Sequence, residues 1–403
     1  MNPRPEVIGS HGARGFGNVD LSGSPANHRE RMHKKTDHLI DGPSGMDPPP
    51  FRRAGVFPLL IFTLFSFLVS CAGAQRPHPD LVWPPPPEVP RIKFLRTISS
   101  ESDVEKVSWW GHVKELLFGQ NQVVPLAKPY GVVASRNNRL YVTDTGWHRV
   151  LVFDFQRSRF SMIGVDGPGA LASPHGVALD QAGRVYVIDP ILRRCLVYDE
   201  NGAFLFSFGD VNRFEQPVGV AINDKLRRAY VSDTRRHKIV AYDFEGNFLF
   251  EFGKRGIEDG EFNYPAHLSV DRDGKIYVTD LNFRVQIFDP DGKFLSGFGG
   301  VGTGFGQFSM PKGVGVDSQG HIYVVDARFS NVQIFNQKGQ LLLFFGELGV
   351  REGELYLPAG LFIDDQDRIY IADQYNKRID VFEYIGPKEP VQGSGDIHSG
   401  REG

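Results

Sequence analysis

The sequence is poor in cysteine and carries little net charge. Among 403 residues there are two cysteines, Cys71 and Cys195, and the formal net charge at pH 7 is -3. If Cys71 is modified, as argued below, no cysteine pair remains for an internal disulfide. The small net charge excludes a strongly basic nucleic-acid binder by bulk electrostatics, although a local basic patch is still allowed.

Short catalytic signatures are also missing. The sequence contains no nucleophile-elbow Gly-x-Ser-x-Gly, no phosphate-binding loop and no Cys-x-x-Cys-His haem attachment motif. No enzyme class is therefore indicated by a local motif with a known mechanism. The cysteine–histidine framework of a RING domain is absent too, so ubiquitin-ligase activity is not expected.

A four-part unit recurs six times along the chain. From Pro174 to Gly209, four apolar runs rich in β-branched and aromatic residues alternate with turns containing Gly, Asn, Asp or Pro, which indicates four short strands. The motif Tyr-Val-x-Asp, or a close variant, ends the second run of each unit at Asp144, Asp189, Asp233, Asp280, Asp326 and Asp373. A four-stranded repeat of this period predicts an all-β fold, a six-bladed β-propeller.

Details of the unit resemble the NHL-repeat family. A proline opens each unit, at Pro129, Pro174, Pro217, Pro265, Pro311 and Pro358. Glycine follows two residues later in five units, and His267 takes that place in the remaining one. Four units close on Phe-Gly, at Gly209, Gly253, Gly299 and Gly346. The resemblance covers residues 91–385 and implies four-stranded NHL-type blades, whereas it says little about function.

The ends of the repeat region predict how the ring closes. Residues 93–98 look like the outer strand at residues 293–298, and the last unit stops after its third strand. We therefore expect an N-terminal strand to join the last blade, which leaves no large free sheet edge. Apolar residues at helical spacing predict a short helix near residues 103–119, either capping one face or docking a partner.

The chain before residue 91 divides into three predicted segments. Residues 1–50 are polar and are interpreted as disordered, or as an extension upstream of a true start at Met46. Residues 51–71 have the order of an export signal, with two arginines, an apolar run of about 14 residues and Leu-Val-Ser-Cys at the end,. Residues 72–90 are rich in proline and are predicted to form a stiff, extended tether. At the other end, residues 386–403 are expected to be a disordered tail.

The segment ending at Cys71 resembles the bacterial lipobox. The resemblance implies that Cys71 is lipidated and becomes the first residue of the mature protein. An uncleaved anchor helix is the alternative, although the apolar run is short for a membrane span. The expected location is the bacterial cell envelope, with the propeller exported, lipid-anchored and facing the periplasm from the outer membrane.

Residues that repeat in every blade are expected to be structural. The six aspartates are predicted to accept hydrogen bonds from the turns that follow them, because a single site cannot use all six. Cys195 takes a place held elsewhere by Val150 and Ile239, so we expect a small core hydrophobe rather than a nucleophile or ligand.

Residues that differ between blades are the candidates for function. In propellers, the loops that lead into the inner strands and the turns between second and third strands line one face around the channel. On this face the sequence places a basic and aromatic set: Trp147, His148, His175, Arg193, Arg235, Arg236, His237, His267, Arg284, Lys312, Arg328, Tyr375 and Lys377. Such a surface favours an anionic ligand or an acidic segment of an envelope protein, the alternative being ordinary solvated loops.

Two function classes follow from these observations. We expect a binding or scaffold module whose partner is an envelope protein or an anionic polymer. It is predicted to be a monomeric propeller that reaches the membrane through its lipid anchor, with no cofactor and no nucleic-acid partner. The alternative is a metal-dependent lyase or lactonase at the channel. Its zinc would use His175 and His267, which lack a third ligand, and its calcium would use Asn282 and Asn376.

Overall fold

The structure, a computed structural model, describes residues 80–104 and 123–387 of the chain. Their strands form six antiparallel sheets that follow one another as the blades of a propeller. These described residues also contain two short 3-10 helices, at Glu101–Asp103 and Gly167–Gly169. Within the described ranges, no helix is long and apolar enough to cross a membrane.

Each of the first five blades has four strands. Blade 1 contains β3 (Pro129–Ala134), β4 (Arg139–Asp144), β5 (Arg149–Asp154) and β6 (Arg159–Ile163). Blade 2 contains β7 (Val177–Leu179), β8 (Val185–Asp189), β9 (Arg194–Tyr198) and β10 (Phe204–Phe208). Blade 3 contains β11 (Pro217–Asn223), β12 (Arg228–Asp233), β13 (Lys238–Asp243) and β14 (Phe248–Phe252).

The remaining blades repeat this order. Blade 4 contains β15 (Leu268–Val270), β16 (Ile276–Asp280), β17 (Arg284–Phe288) and β18 (Phe294–Gly299). Blade 5 contains β19 (Pro311–Val316), β20 (Ile322–Asp326), β21 (Asn331–Phe335) and β22 (Leu341–Phe345). Blade 6 contains β23 (Leu361–Ile363), β24 (Arg368–Asp373) and β25 (Arg378–Tyr384), followed in the sheet by β2 (Ile92–Ile98) and β1 (Val82–Trp83). The predicted six-bladed fold is confirmed.

The hydrophobic core is divided among the blade interfaces. Six clusters of buried side chains lie between neighbouring blades, and the cluster joining blades 6 and 1 completes the ring. Alternate residues of one strand serve different clusters: Leu140 and Val142 of β4 pack toward blade 6, whereas Tyr141 packs toward blade 2. This burial on both faces explains why the middle strands are continuously apolar instead of alternating.

The N-terminal strand closes the ring, as the sequence predicted. Strand β2 pairs antiparallel with β25, placing Phe94 opposite Phe382 and Ile98 opposite Ile379. Ile92 and Ile98 have no exposed surface. Blade 6 is therefore built from both ends of the repeat region, and β25 presents no open edge.

Part of the predicted tether belongs to the propeller. Val82 and Trp83 form β1, which pairs with β2 and adds a fifth strand to blade 6. The Trp83 ring centroid lies 6.0 Å from that of Phe345 and 5.7 Å from that of Phe382. The tether predicted over residues 72–90 is thus too long. In this proline-rich segment the sequence shows no pattern that indicates a two-residue strand, which is held in place by the packing of one aromatic side chain.

Cys195 is a core residue, as expected. It is fully buried in the cluster between blades 2 and 3 and forms no disulfide. Burial raises the pKa of its thiol, so the reactive thiolate is disfavoured.

Several predicted segments lie outside the described residues. They are residues 1–50, the export signal and Cys71 at residues 51–71, the first part of the tether, the predicted helix beyond Val104, and all but the start of the tail.

Candidate binding face and channel mouth

Six buried aspartates hold two sets of loops together on one face. We call the loops before the inner strands the lead-in loops, and the turns between second and third strands the rim turns. Asp144 accepts hydrogen bonds from the backbone N–H groups of Ala127 and Lys128 in a lead-in loop, and of Gly146 and Trp147 in a rim turn. The six carboxylates are at most 1 % exposed. The predicted bonds to the turns are confirmed, and those to the lead-in loops are additional.

A belt of hydrogen bonds joins neighbouring inner strands around the channel. The N–H of Gly176 donates to the carbonyl of Val218 at 2.9 Å. In blade 1 the hydroxyl of Thr143 lies between the two backbone groups. Gly131 N–H donates to Thr143 Oγ1, which donates in turn to the carbonyl of His175. A Cβ on Gly176 would lie 2.6 Å from the Val218 oxygen. This close approach explains the glycine that follows the opening proline.

Blade 4 has a histidine in the glycine position. The backbone N–H of His267 lies 3.3 Å from Thr279 Oγ1, and this hydroxyl donates to the carbonyl of Lys312 at 2.8 Å. The belt is therefore continued by Thr279, and it brings His267 and Lys312 next to each other.

Three side chains meet at the mouth of the channel. The ring centroid of Tyr130 lies 4.4 Å from that of His175 and 5.4 Å from that of His267, with an interplanar angle of 18° to the latter. Blades 1 and 4 are opposite in a six-bladed ring, so the contact between Tyr130 and His267 spans the channel. The positions equivalent to Tyr130 and His175 in blades 3 and 6 are the buried Val218 and Ala359, which contribute no polar side chain.

Burial keeps both imidazoles neutral at pH 7. Loss of solvation, together with the positive charge of Lys312, lowers the pKa of His267 to about 3. Loss of solvation also lowers the pKa of His175. His175 Nδ1 lies 2.8 Å from the carbonyl of Ser173; since a carbonyl only accepts, this nitrogen carries the proton and Nε2 is an acceptor. His267 Nε2 is buried and has no hydrogen-bond partner in the described part of the chain.

Lys312 adds a cation to the mouth. It occupies in blade 5 the position that Tyr130 and His175 occupy in blades 1 and 2, and it is partly buried. Burial and the charge of Lys128 lower the pKa of its ammonium group. Lys128, which the sequence analysis missed, is exposed at the end of a lead-in loop; its place directly before an opening proline was the available signal.

Five of the predicted site residues are used to fix the loops. Their polar atoms contact backbone atoms of neighbouring lead-in loops. The contacts are Trp147 Nε1 to the Pro125 carbonyl, His148 Nδ1 to the Ala172 carbonyl, Arg236 Nη2 to the Asn212 carbonyl, His237 Nδ1 to the Tyr264 N–H and Arg284 Nη2 to the Glu258 and Glu261 carbonyls. These side chains shape the face, and the structure does not present their bonded atoms to a ligand.

The other predicted rim residues point to solvent. Arg235, Arg328, Tyr375 and Lys377 are exposed, and Arg193 is partly exposed. Arg235 lies 4.0 Å from an oxygen of Glu215, at the limit of an ion pair. These five positions form an outer ring of cationic and aromatic side chains around the mouth.

Comparisons with known families agree with this architecture. Residues 119–298 match the family described as SMP-30/Gluconolactonase/LRE-like region, and residues 308–335 match the NHL repeat. Together with the six antiparallel blades, these matches decide the family. The chain is an NHL-repeat six-bladed propeller.

Solved structures share the fold of this NHL propeller at low sequence identity. A streptogramin B lyase is 14% identical with a TM-score of 0.51, over 65% of this chain and 95% of the lyase. An auxiliary nutrient binding protein from Bacteroides thetaiotaomicron is 14% identical with a TM-score of 0.52, over 64% and 69% of the two chains. A protein of unknown function from the same organism is 18% identical with a TM-score of 0.54, over 64% and 70%. No curated protein matches the sequence. At these identities the likeness shows the fold alone.

The predicted metal alternatives are not favoured by the geometry of the NHL propeller. Among the described residues, no three His, Cys, Asp or Glu side chains are grouped to hold a metal ion. His175 and His267 both pack against Tyr130, and catalytic zinc requires a third protein ligand. The calcium candidates Asn282 and Asn376 donate their amide N–H groups to lead-in loop carbonyls at 2.9 and 2.8 Å.

Proposed function

We propose that this NHL propeller is a binding module whose loop face takes up an anionic partner, in the first place an acidic segment of another envelope protein. The proposal is supported chiefly by the distribution of charge on that face. The rim turns contain arginine, lysine and histidine but no acidic residue other than the six aspartates. Those aspartates are buried and bonded to backbone N–H groups.

The lead-in loops carry exposed acidic residues as well, among them Asp210, Glu258 and Glu352, so the excess of positive charge is confined to the rim turns. In the longer lead-in loops, Glu261 pairs with Lys254 and Glu354 pairs with Arg351. Arg235 is at the limit of an ion pair with Glu215, whereas Arg328 and Lys377 are exposed and attract negative charge, which speeds association and selects acidic partners.

The proposed setting is the bacterial envelope. It is supported by the export signal and the lipobox-like ending at Cys71. A lipid on Cys71 would confine the propeller to a membrane surface, and the proline-rich residues after it would space the propeller from that surface.

Charge reversal at the outer ring should weaken capture of an acidic probe. We expect Arg235→Glu, Arg328→Glu and Lys377→Glu together to lower the affinity for poly-L-glutamate at least about tenfold, because three attractive charges become repulsive. The melting temperature should change little, since the three side chains are exposed,. Arg236 is left intact because its guanidinium is bonded to a lead-in loop. Affinity would be measured by surface binding at several salt concentrations.

A matched reversal on the opposite face is the control. Arg159, Lys293 and Lys338 are exposed at the turns between third and fourth strands, so their replacement by Glu changes the net charge equally. Affinity that falls as much in this control variant would attribute binding to net charge and contradict a site on the loop face. Photo-crosslinking from the outer-ring positions in envelope preparations would then identify the partner.

A further inference from the structure

We propose that the channel mouth is a separate subsite for a monocarboxylate, held by Lys312 and His267 beside the ring of Tyr130. The proposal rests on the loop face being the binding face, and it adds a ligand class and a location at the centre of that face. The carboxylate belongs either to a free small molecule or to the C-terminus of a peptide.

Polar groups at the mouth lack the partners that burial normally requires. Lys312 is partly buried, and in the described part of the chain its charge meets that of another cation, Lys128, and no carboxylate. His267 Nε2 is buried without a hydrogen-bond partner there. Burying a cation or a ring nitrogen without a partner is costly. A carboxylate at this place would pair with the ammonium group and accept an N–H from a neutral imidazole.

The carboxylate whose charge acts on His175 cannot play this role. It belongs to Asp189, and its oxygens accept hydrogen bonds from the backbone N–H groups of Ala172, Ser173, Ile191 and Leu192. Its charge is therefore already compensated by fixed dipoles. Lys312 is the partly buried cation of the mouth, and a single carboxylate is enough to pair with it.

The walls of the mouth are aromatic. The rings of Tyr130 and His267 stack on each other across the channel, and His175 lies against the same tyrosine ring at a larger angle. A ligand at the mouth therefore meets the edges of these rings and not a space between them. A carboxylate joined to a small apolar group would suit both the charge of Lys312 and these aromatic edges.

Access to the subsite is from the loop face. At the opposite end of the channel, Asp365 of blade 6 pairs with Arg136 of blade 1 at 2.8 Å and approaches Arg272 of blade 4 at 3.9 Å. Lys225 of blade 3 also donates to the carbonyl of Arg272. The approach of Asp365 to Arg272 joins blades 6 and 4, which are not neighbours, so it lies across the far opening of the channel.

Benzoate is a suitable probe, with benzamide as its uncharged isostere. In a saturation-transfer NMR titration of the full chain, we expect benzoate to bind and benzamide to bind at least tenfold more weakly. Lys312→Val should weaken benzoate binding about tenfold to a hundredfold, and it should fold because blade 3 has Val218 at this position. His267→Gly should also weaken binding, and five other blades have glycine there.

Further measurements show where the carboxylate comes from and separate a failure of the subsite proposal from a failure of the outer-ring proposal. The peptide Gly-Gly-Phe competing more strongly than benzoate, with its C-terminal amide inactive, would assign the site to a chain terminus; benzoate alone would assign it to a free molecule. Equal binding of benzoate and benzamide, or unchanged affinity in both variants, would overturn the subsite. The triple outer-ring reversal should retain benzoate binding, so loss of poly-L-glutamate capture alone tests the outer ring and not the subsite. The Arg328→Met variant is the matched control for removal of one cation.

Discussion

A chain lacking residues 91–99 should fail to form a stable propeller. Strand β2 contributes the buried side chains Ile92, Phe94 and Ile98 to the clusters on both sides of blade 6. Burying each such side chain stabilises the fold by about 1.5–3 kcal/mol, so their combined loss approaches the whole stability of a typical domain, roughly 5–15 kcal/mol. The deletion also exposes the edge of β25 and removes the partner of β1. Near-ultraviolet circular dichroism and urea unfolding would measure the effect.

Point variants on the same strand separate packing from a general effect of shortening. Ile92→Ala combined with Ile98→Ala should lower the free energy of unfolding by roughly 4 kcal/mol or more. Leu95→Ala is the matched control, since Leu95 is 39% exposed, and should have little effect. A shortened chain that unfolds at the same urea concentration as the full chain would show that the ring closes without β2.

The fold was predictable because each blade repeats the same physical solution. Turn residues bound every apolar run, and burial on both faces makes the runs continuous, so strand order followed from the period alone. The closing strand was found because residues 93–98 resemble residues 293–298. Strand β1 was not found, since its two residues are recognised only by the packing of Trp83 against Phe345 and Phe382.

For the candidate site, the sequence predicted which face of the propeller it lies on, but not the role of each residue. Arg235 and Arg236 are adjacent in the sequence, yet the first is exposed and the second is bonded to the carbonyl of Asn212. That difference depends on the path of a lead-in loop, which no local pattern specifies. The contact between Tyr130 and His267 joins opposite blades, so it requires the closed ring. Likewise, the unpaired charge of Lys312 can be recognised only when the residues that surround it in the folded chain are known.

Blade 6 has a buried aspartate where blades 4 and 5 have a glutamine, and this aspartate forms an acidic pair with Asp373. Asp380 in β25 takes the position of Gln286 in β17 and Gln333 in β21. Gln286 Nε2 donates to the Glu261 carbonyl at 2.8 Å, and its Oε1 accepts from the Gly260 N–H at 2.9 Å. The amide thus ties the lead-in loop to the third strand.

Asp380 does not make these bonds. Its Oδ2 accepts from Arg378 Nε at 2.9 Å, while its Oδ1 is buried without a hydrogen-bond partner among the described residues. The same Arg378 Nε lies 3.3 Å from Asp373, so two carboxylates share one cation. Burial raises the pKa of Asp380 well above its ordinary value, and repulsion from Asp373 adds to this effect. Burial also raises the pKa of Asp373.

Replacing Asp380 by Gln should therefore stabilise the propeller. We expect a gain of about 1–3 kcal/mol in the free energy of unfolding at pH 7, because the variant removes an unsatisfied buried carboxylate and can bond the lead-in loop as Gln286 does. Gln286→Asp in blade 4 is the reciprocal control and should lose a similar amount. Urea unfolding at pH 7 would measure both variants.

The gain should depend on pH in a defined direction. Asp380 has a higher pKa in the folded chain than in the unfolded chain, where it is about 3.9. Between these two values the folded state holds a proton that the unfolded state releases, so wild-type stability falls as pH rises through this window. The advantage of Asp380→Gln should consequently be larger at pH 7 than at pH 4. An advantage that is equal at the two pH values would show that the carboxylate is ionised throughout, and the stabilisation would then come from the new loop contacts alone.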